Sequence, residues 1–290
     1  MRHQLAFTIL IVAATLSSFN GIFIRWLADM TDWQIVFWRH FLIGVTLCFG
    51  LIFYYRSNFI GALKAIGYTG LVGSTAFGLS LIFLTMALHH SSIANVMFIL
   101  ALVPIMTALL GWIILREKIQ KITWIAIVGS IIGISLMVLG YLNSGNIKGT
   151  ALSLGCAITV SFFAIILRWG RKINMIPMFA IGTLIAAVIA FPFSFNDLTL
   201  NRPHITLLFF WAGLISPLYY SLFVVASRHI PAAELMLAVP LESILSVLLA
   251  WIVLAEIPSA NSLLGGTIVI LSVSCMAIYR IRQKQKIPEN

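Results

Sequence analysis

The sequence predicts an all-α membrane protein: ten transmembrane helices arranged as two inverted five-helix repeats, with both termini cytoplasmic. Three observations predict it. Of 290 residues, 61% are hydrophobic and 9% are charged, against roughly 45–50% and about 25% in a soluble domain. No water-soluble packing hides that much apolar surface. Ten apolar stretches are also long enough to cross a bilayer, which takes about 20 residues per helix. Finally, the chain repeats itself. Residues 17–26 return at 160–169, with Ser18/Ser161, Phe19/Phe162, Ile22/Ile165, Arg25/Arg168 and Trp26/Trp169 at a constant offset of 143. Residues 87–117 return at 226–256, an offset of 139, with Ala87/Ala226, His90/His229, Met97/Met236, Trp112/Trp251 and Glu117/Glu256 identical.

The ten segments are 4–25, 33–54, 63–87, 92–115, 122–142, 149–168, 176–194, 205–226, 231–254 and 262–280. The first is too long for the apolar core of a signal peptide, about 7–15 residues, and it pairs with 149–168. The next four complete a first unit, residues 1–145. Residues 146–290 form the second unit with the same order of segments. Connections are short. The longest polar stretch, Asn196 to His204, is only a loop. Strands are excluded, because the runs far exceed the about 9–11 residues of a barrel strand.

Orientation follows from the 18 Lys and Arg residues. With the N-terminus cytoplasmic, only Arg25, Lys148 and Arg202 fall outside, Arg39 lies within a helix, and the remaining 14 fall inside. That bias is the positive-inside pattern. It explains the net charge of +10 by topology and lipid contact rather than nucleic-acid binding. Five helices per unit is an odd number, so the second unit enters the membrane in the opposite sense. The repeat is therefore inverted, an architecture used by carriers that expose one site to either face.

Only eight carboxylates exist. Asp29, Asp32, Asp197 and Glu289 fall in loops or the tail, and Glu117 and Glu256 end equivalent helices. Glu234 stands about one turn into the ninth segment and Glu242 near its middle, where a charge is costly and functional by default. Arg39, beside His40, lies about 9 Å from the outer end of the second segment at 1.5 Å per residue. A direct Arg39–Glu242 pair, a solute clamped between them, and an Arg39 that snorkels to the outer headgroups all fit the sequence. Asn20 and Asn95 add uncharged polar groups. Asn95 aligns with Glu234, and helix–helix hydrogen bonding accounts for it as well as ligand contact does. Pro104 and Pro240, and Gly78 and Pro217, are helix breakers at matched places in the two units. They mark segments 3, 4, 8 and 9 as surrounding the path. Tyr219 and Tyr220 follow Pro217 and stand ready to face it.

Trp26, Trp33, Trp112, Trp124, Trp169 and Trp251 sit near segment ends, as interfacial anchors do. Cys48, Cys156 and Cys275 lie in apolar runs without metal or redox spacing and read as small buried hydrophobes. No phosphate loop, HExxH or GxSxG motif is present, so neither metal nor cofactor is expected.

Ser18-Phe19-Asn20-Gly21 with Arg25, Trp33 with Phe37-Trp38-Arg39, and the paired ends Pro104 to Leu115-Arg116-Glu117-Lys118 and Pro240 to Leu254-Ala255-Glu256 resemble the EamA-type carriers of the drug/metabolite transporter superfamily. The resemblance spans essentially the whole chain. It implies a multi-pass carrier of the bacterial inner membrane, often an exporter of amino acids or related metabolites. It also implies a central cavity lined largely by helices 3, 4, 8 and 9. The family includes uptake carriers for vitamins, sugars and nucleotide-like compounds, so neither solute nor direction follows. The expected partners are the lipid bilayer, a small-molecule solute and, for coupling, protons. A membrane-embedded lipid-modifying enzyme is the rival class, and it would need an interfacial nucleophile or metal set that the sequence does not display.

The charge bias sets an experiment. A reporter active only in the periplasm should be silent when fused after Asn290 and active when fused after Asn146. The reverse pattern would overturn both the orientation and the inversion.

Overall fold

The computed structural model describes residues 3–116, 120–142, 147–169, 177–227, 229 and 238–285. Within lipid no water is available to backbone amides and carbonyls, so each spanning segment satisfies them internally as helix. The described residues accordingly contain helices and no strand. In chain order these are α1 (His3–Ser17), α2 (Asn20–Trp26), α3 (Asp32–Tyr55), α4 (Phe59–Ala65), α5 (Gly67–His90), α6 (Ile93–Leu100) and α7 (Val103–Leu115). They continue with α8 (Lys121–Leu142), α9 (Ile147–Trp169), α10 (Pro177–Ser194), α11 (Arg202–Leu208), a π-helical turn (Phe209–Ile215), α12 (Ser216–Ser227), α13 (Ala238–Leu254) and α14 (Ala260–Gln285). Among the described residues eight stretches are long and apolar enough to cross a membrane, and Lys121–Met137 and Ala238–Leu254 are shorter apolar helices. Large apolar side chains such as Ile125 (68% exposed), Val188 (71%) and Ile252 (77%) point outward, the inverse of a soluble surface.

Three of the expected continuous segments are interrupted well inside their length, and the third only near its start, at Ile66 between α4 and α5. The first breaks at Ser18–Phe19 between α1 and α2, the fourth at Ala101–Leu102 between α6 and α7, and the eighth widens into the π turn before Pro217. Pro104 stands in the first turn of α7, where its missing N–H costs nothing. Pro240 is the third residue of α13, and the residues just before that helix lie outside the described ones.

Gly78 does not break its helix: α5 runs unbroken from Gly67 to His90. Its role is close approach. A Cβ at Gly78 would lie 2.6 Å from the carbonyl oxygen of Gly182 on α10, and one at Gly182 would lie 2.8 Å from the Ser74 carbonyl. A second crossing joins α8 to α14, where a Cβ on Gly133 would lie 2.5 Å from the Gly265 carbonyl. Small residues at such crossings let backbones touch where no hydrophobic effect pulls helices together.

The remaining packing pairs α3 with α10, α5 with α9, α1 with α12 and α13, α6 with α13, and α7 with α9. Helix ends are specified locally. Thr31 caps α3 by accepting from Gln34 N, and the Gln34 side chain accepts in return from Thr31 N, both at 3.3 Å. This reciprocal capping box satisfies two otherwise orphaned donors. Arg116 after α7 and Ala255 after α13 both adopt left-handed backbone (φ 54° and 53°), ending the two helices at equivalent places in the repeat. Cys156 is buried, but Cys275 is exposed on α14 and Cys48 is half-buried. An apolar sequence context does not distinguish a lipid-facing thiol from a core one.

Gly133→Leu should open the α8–α14 crossing at a cost of about 1–3 kcal/mol, read as a fall of several degrees in the thermal midpoint in detergent. Gly50→Leu, with no atom within 4 Å of its new Cβ, should leave the midpoint unchanged. Equal midpoints for the two variants would refute tight packing at Gly133.

Candidate functional site

The centre of the bundle is organised by one cation. Arg39, on α3, is 0% exposed. Its Nη1 donates to Thr85 Oγ1 on α5 at 2.8 Å and its Nη2 to Asn20 Oδ1, at the start of α2, at 3.0 Å. Its guanidinium carbon sits 4.3 Å from the centre of the Trp211 ring in the π turn, a cation–π contact. Trp211 in turn donates from Nε1 to the same Asn20 oxygen at 2.9 Å, and Phe23 stacks on its ring at 5.6 Å. Four separate helical elements thus meet on Arg39. Among the described residues all its partners are neutral, and its Nε has none. His40 approaches the same threonine at 3.3 Å.

Glu242 lies one turn into α13, half-buried, with its carboxylate facing Ser17. Among the described residues no ion pair joins it to Arg39. Tyr219, Tyr220 and Cys156 each lie close enough to both Arg39 and Glu242 to feel the two charges. The two tyrosine rings are 4.2 Å apart. Tyr220 continues into an aromatic cluster with Phe77 (5.8 Å) and Phe179 (5.9 Å), and Phe163 stacks closer to Phe77 at 4.8 Å. On the far side of Tyr220 an open, mainly apolar groove of about 470 Å³ runs between α3, α10 and α12, past Tyr54, Phe179, Pro217 and Val225.

The interruptions are held by serines. Ser18 Oγ donates to the Ala14 carbonyl at 2.7 Å and approaches the backbone carbonyl of Glu242 at 3.4 Å. Ser161 Oγ donates to the Ala157 carbonyl at 2.6 Å and approaches that of Val103 at 3.2 Å. Ser18 and Ser161 are equivalent at the offset of 143, and Val103 and Glu242 at that of 139. Each unit therefore reaches the same carbonyl of the other, and Glu242 occupies the place where the first unit has valine.

The sequence-derived residues divide accordingly. Arg39, Asn20, Tyr219, Tyr220 and Glu242 converge. Asn95 does not: it is 0% exposed and donates to Ser91 at 2.8 Å and Thr150 at 3.1 Å, tying α6 to α9 near one end. Glu234 lies outside the described residues. Trp211, Thr85 and Cys156 were not singled out by sequence. The signal for Trp211 was its distance from any segment end, unlike the anchoring tryptophans.

A second polar region lies at the Asp32 end of the bundle. Arg25 donates to the carbonyls of Leu88 at 2.9 Å and Ser91 at 2.6 Å and to Glu256 at 3.2 Å, and the other Glu256 oxygen accepts from Ile93 N at 2.7 Å, the first amide of α6. Asp29 pairs with His204 at 2.8 Å.

Comparison with known proteins agrees with this construction. A solved crystal structure superimposes with a TM-score of 0.65 at 14% identity, covering 96% of this chain and 99% of that one, which shows a shared fold. An uncharacterized transporter of Clostridium kluyveri is 24% identical over 71% of this chain and 70% of its own length. The uncharacterized transporter YdfC of Bacillus subtilis is 25% identical over 78% and 75%. The model of the EamA-like transporter family matches twice, over residues 4–139 and 147–278. With almost its entire length inside those two matches, the chain belongs to the EamA-like transporter family, within the drug/metabolite transporter superfamily.

Proposed function

We propose that this transporter is a secondary-active carrier of a small carboxylate-bearing organic solute, of the amino-acid or related metabolite class. It works by alternating access in a bacterial inner membrane, in the direction of export. The observation that carries the reading is Arg39: a fully buried guanidinium whose contacts among the described residues are all neutral. Such a group is costly unless it meets an anion, and a carboxylate beside Tyr219 and Tyr220 would complete it. Glu242, whose charge reaches the same two tyrosines, is the titratable partner that would take up the solute's ammonium or a proton.

Two inverted units, 1–145 and 146–290, supply the mechanism. Exchange of the units turns the α5–α9 contact into α12–α1 and the α7–α9 contact into α13–α1, and returns α3–α10 and α8–α14 onto themselves. The reciprocal serine contacts and the paired left-handed helix ends obey the same exchange. A two-fold axis in the membrane plane would relate ten spans in this way, with both termini cytoplasmic. The Asp32 end is then the outer face, and its ion pairs hold that face shut in the present state. Rupture of the Arg25–Glu256 pair would accompany its opening.

Flux of carboxylate solutes into proteoliposomes, with and without a pH gradient, tests the reading. Arg39→Gln removes charged hydrogen bonds worth about 1.5–3 kcal/mol, so solute affinity should fall about 10- to 150-fold. Arg39→Lys keeps the charge but loses the stacked fork and should recover only part. Glu242→Gln should exchange solute at near wild-type rates while losing accumulation driven by the gradient. Unaltered gradient-driven transport by well-expressed Glu242→Gln would remove that residue from coupling, and unaltered affinity in Arg39→Gln would remove carboxylate recognition.

A further inference from the structure

We propose a transition-metal site of the Zn²⁺ class formed by Asp32, His89 and His90. Asp32 opens α3, and the two histidines close α5. One donor atom from each lies within 4.8 Å of the others. One carboxylate oxygen meets His89 Nδ1, and the other lies 2.5 Å from His90 Nε2. Two imidazoles and a carboxylate are the nitrogen and oxygen set that binds Zn²⁺ at about 2.0–2.2 Å, with water in a fourth position. The donors are sheltered but reachable, with side chains 17–29% exposed.

Two further observations point to a cation. The His89 ring also lies against the Ala28 backbone, the kind of outer contact that orients a ligating imidazole. And His90 Nε2, close to the Asp32 carboxylate, also lies 2.8 Å from the ammonium of Lys148, which is itself 3.8 Å from Asp32 Oδ2. One ring nitrogen cannot donate to the carboxylate and accept from the ammonium at once. A metal ion removes that conflict, because it takes a lone pair from both the imidazole and the carboxylate and displaces the ammonium. Lys148 is 63% exposed at its side chain and free to swing away. A bound ion would cross-link the first turn of α3 to the last turn of α5. Asp32 and His89 are 57 residues apart in sequence, so no short motif announces the site.

The inference does not depend on the transport reading, and it is tested by binding alone. Purified full-length protein in detergent, stripped with chelator, is titrated with Zn²⁺, with Mg²⁺ and Ca²⁺ as hard-cation controls. Expected are one tightly held Zn²⁺ per chain and a rise in thermal midpoint of about 5 °C at Zn²⁺ about 100-fold above its Kd, with no rise from Mg²⁺. The double variant His89→Ala/His90→Ala should lose both, and Lys148→Met should bind more tightly than wild type. Zn²⁺ binding no tighter in wild type than in the double variant overturns the proposal, as does an equal response to Mg²⁺. If the double variant fails to fold, wild type and Lys148→Met decide: weaker binding after removal of the ammonium overturns the site.

Discussion

A guanidinium sealed away from water, with no acid beside it among the described residues, is the constraint around which the centre of this protein is arranged. In a medium of low dielectric such a group must find hydrogen-bond acceptors and polarisable surface or be expelled. Arg39 finds them in Asn20, Thr85 and the face of Trp211. Each of those residues must come from a different helical element, because one helix face cannot surround the fork. The cluster thereby fixes α2, α3, α5 and the π turn against one another, and the π turn is where the backbone widens to bring Trp211 inward.

The same scarcity of water explains why the interruptions carry serine. A break in a helix exposes carbonyls that lipid cannot satisfy. Ser18 and Ser161 sit beside such places and share their hydroxyls between their own helices and a facing carbonyl. Close glycine crossings do the complementary work. They bring α5 onto α10 and α8 onto α14 at backbone distance, so rigid packing flanks a centre whose helices are broken.

The two polar regions differ in kind. At the centre, polar atoms are few and one cation is surrounded by neutral groups. At the Asp32 end, carboxylates meet histidines, Arg25 and Lys148 in contacts between helices. Interactions of partly exposed charges are weak individually, so that end is held by several modest contacts, whereas the Arg39 cluster is a single, fully buried one.

By itself the sequence determined the class of solvent, the helical architecture and the duplication, because hydropathy and self-similarity are local properties carried residue by residue. It also singled out Arg39 and Glu242, since a charge in an apolar run is conspicuous whatever the fold. The tertiary structure alone decided their partners. Arg39 was free by sequence to pair with Glu242, yet Asn20 and Trp211, 191 residues apart, take that place. Asn95, aligned with a carboxylate, turned toward α9 instead of the centre. Gly78, which looked like a break, became a contact with Gly182. The Asp32, His89 and His90 side chains meet only because α3 and α5 end at the same level. The physical reason is common to all four. Which face of a helix meets which neighbour is set by side-chain shape and by the fate of every buried polar atom at once, and no window along the chain contains both sides of that contact.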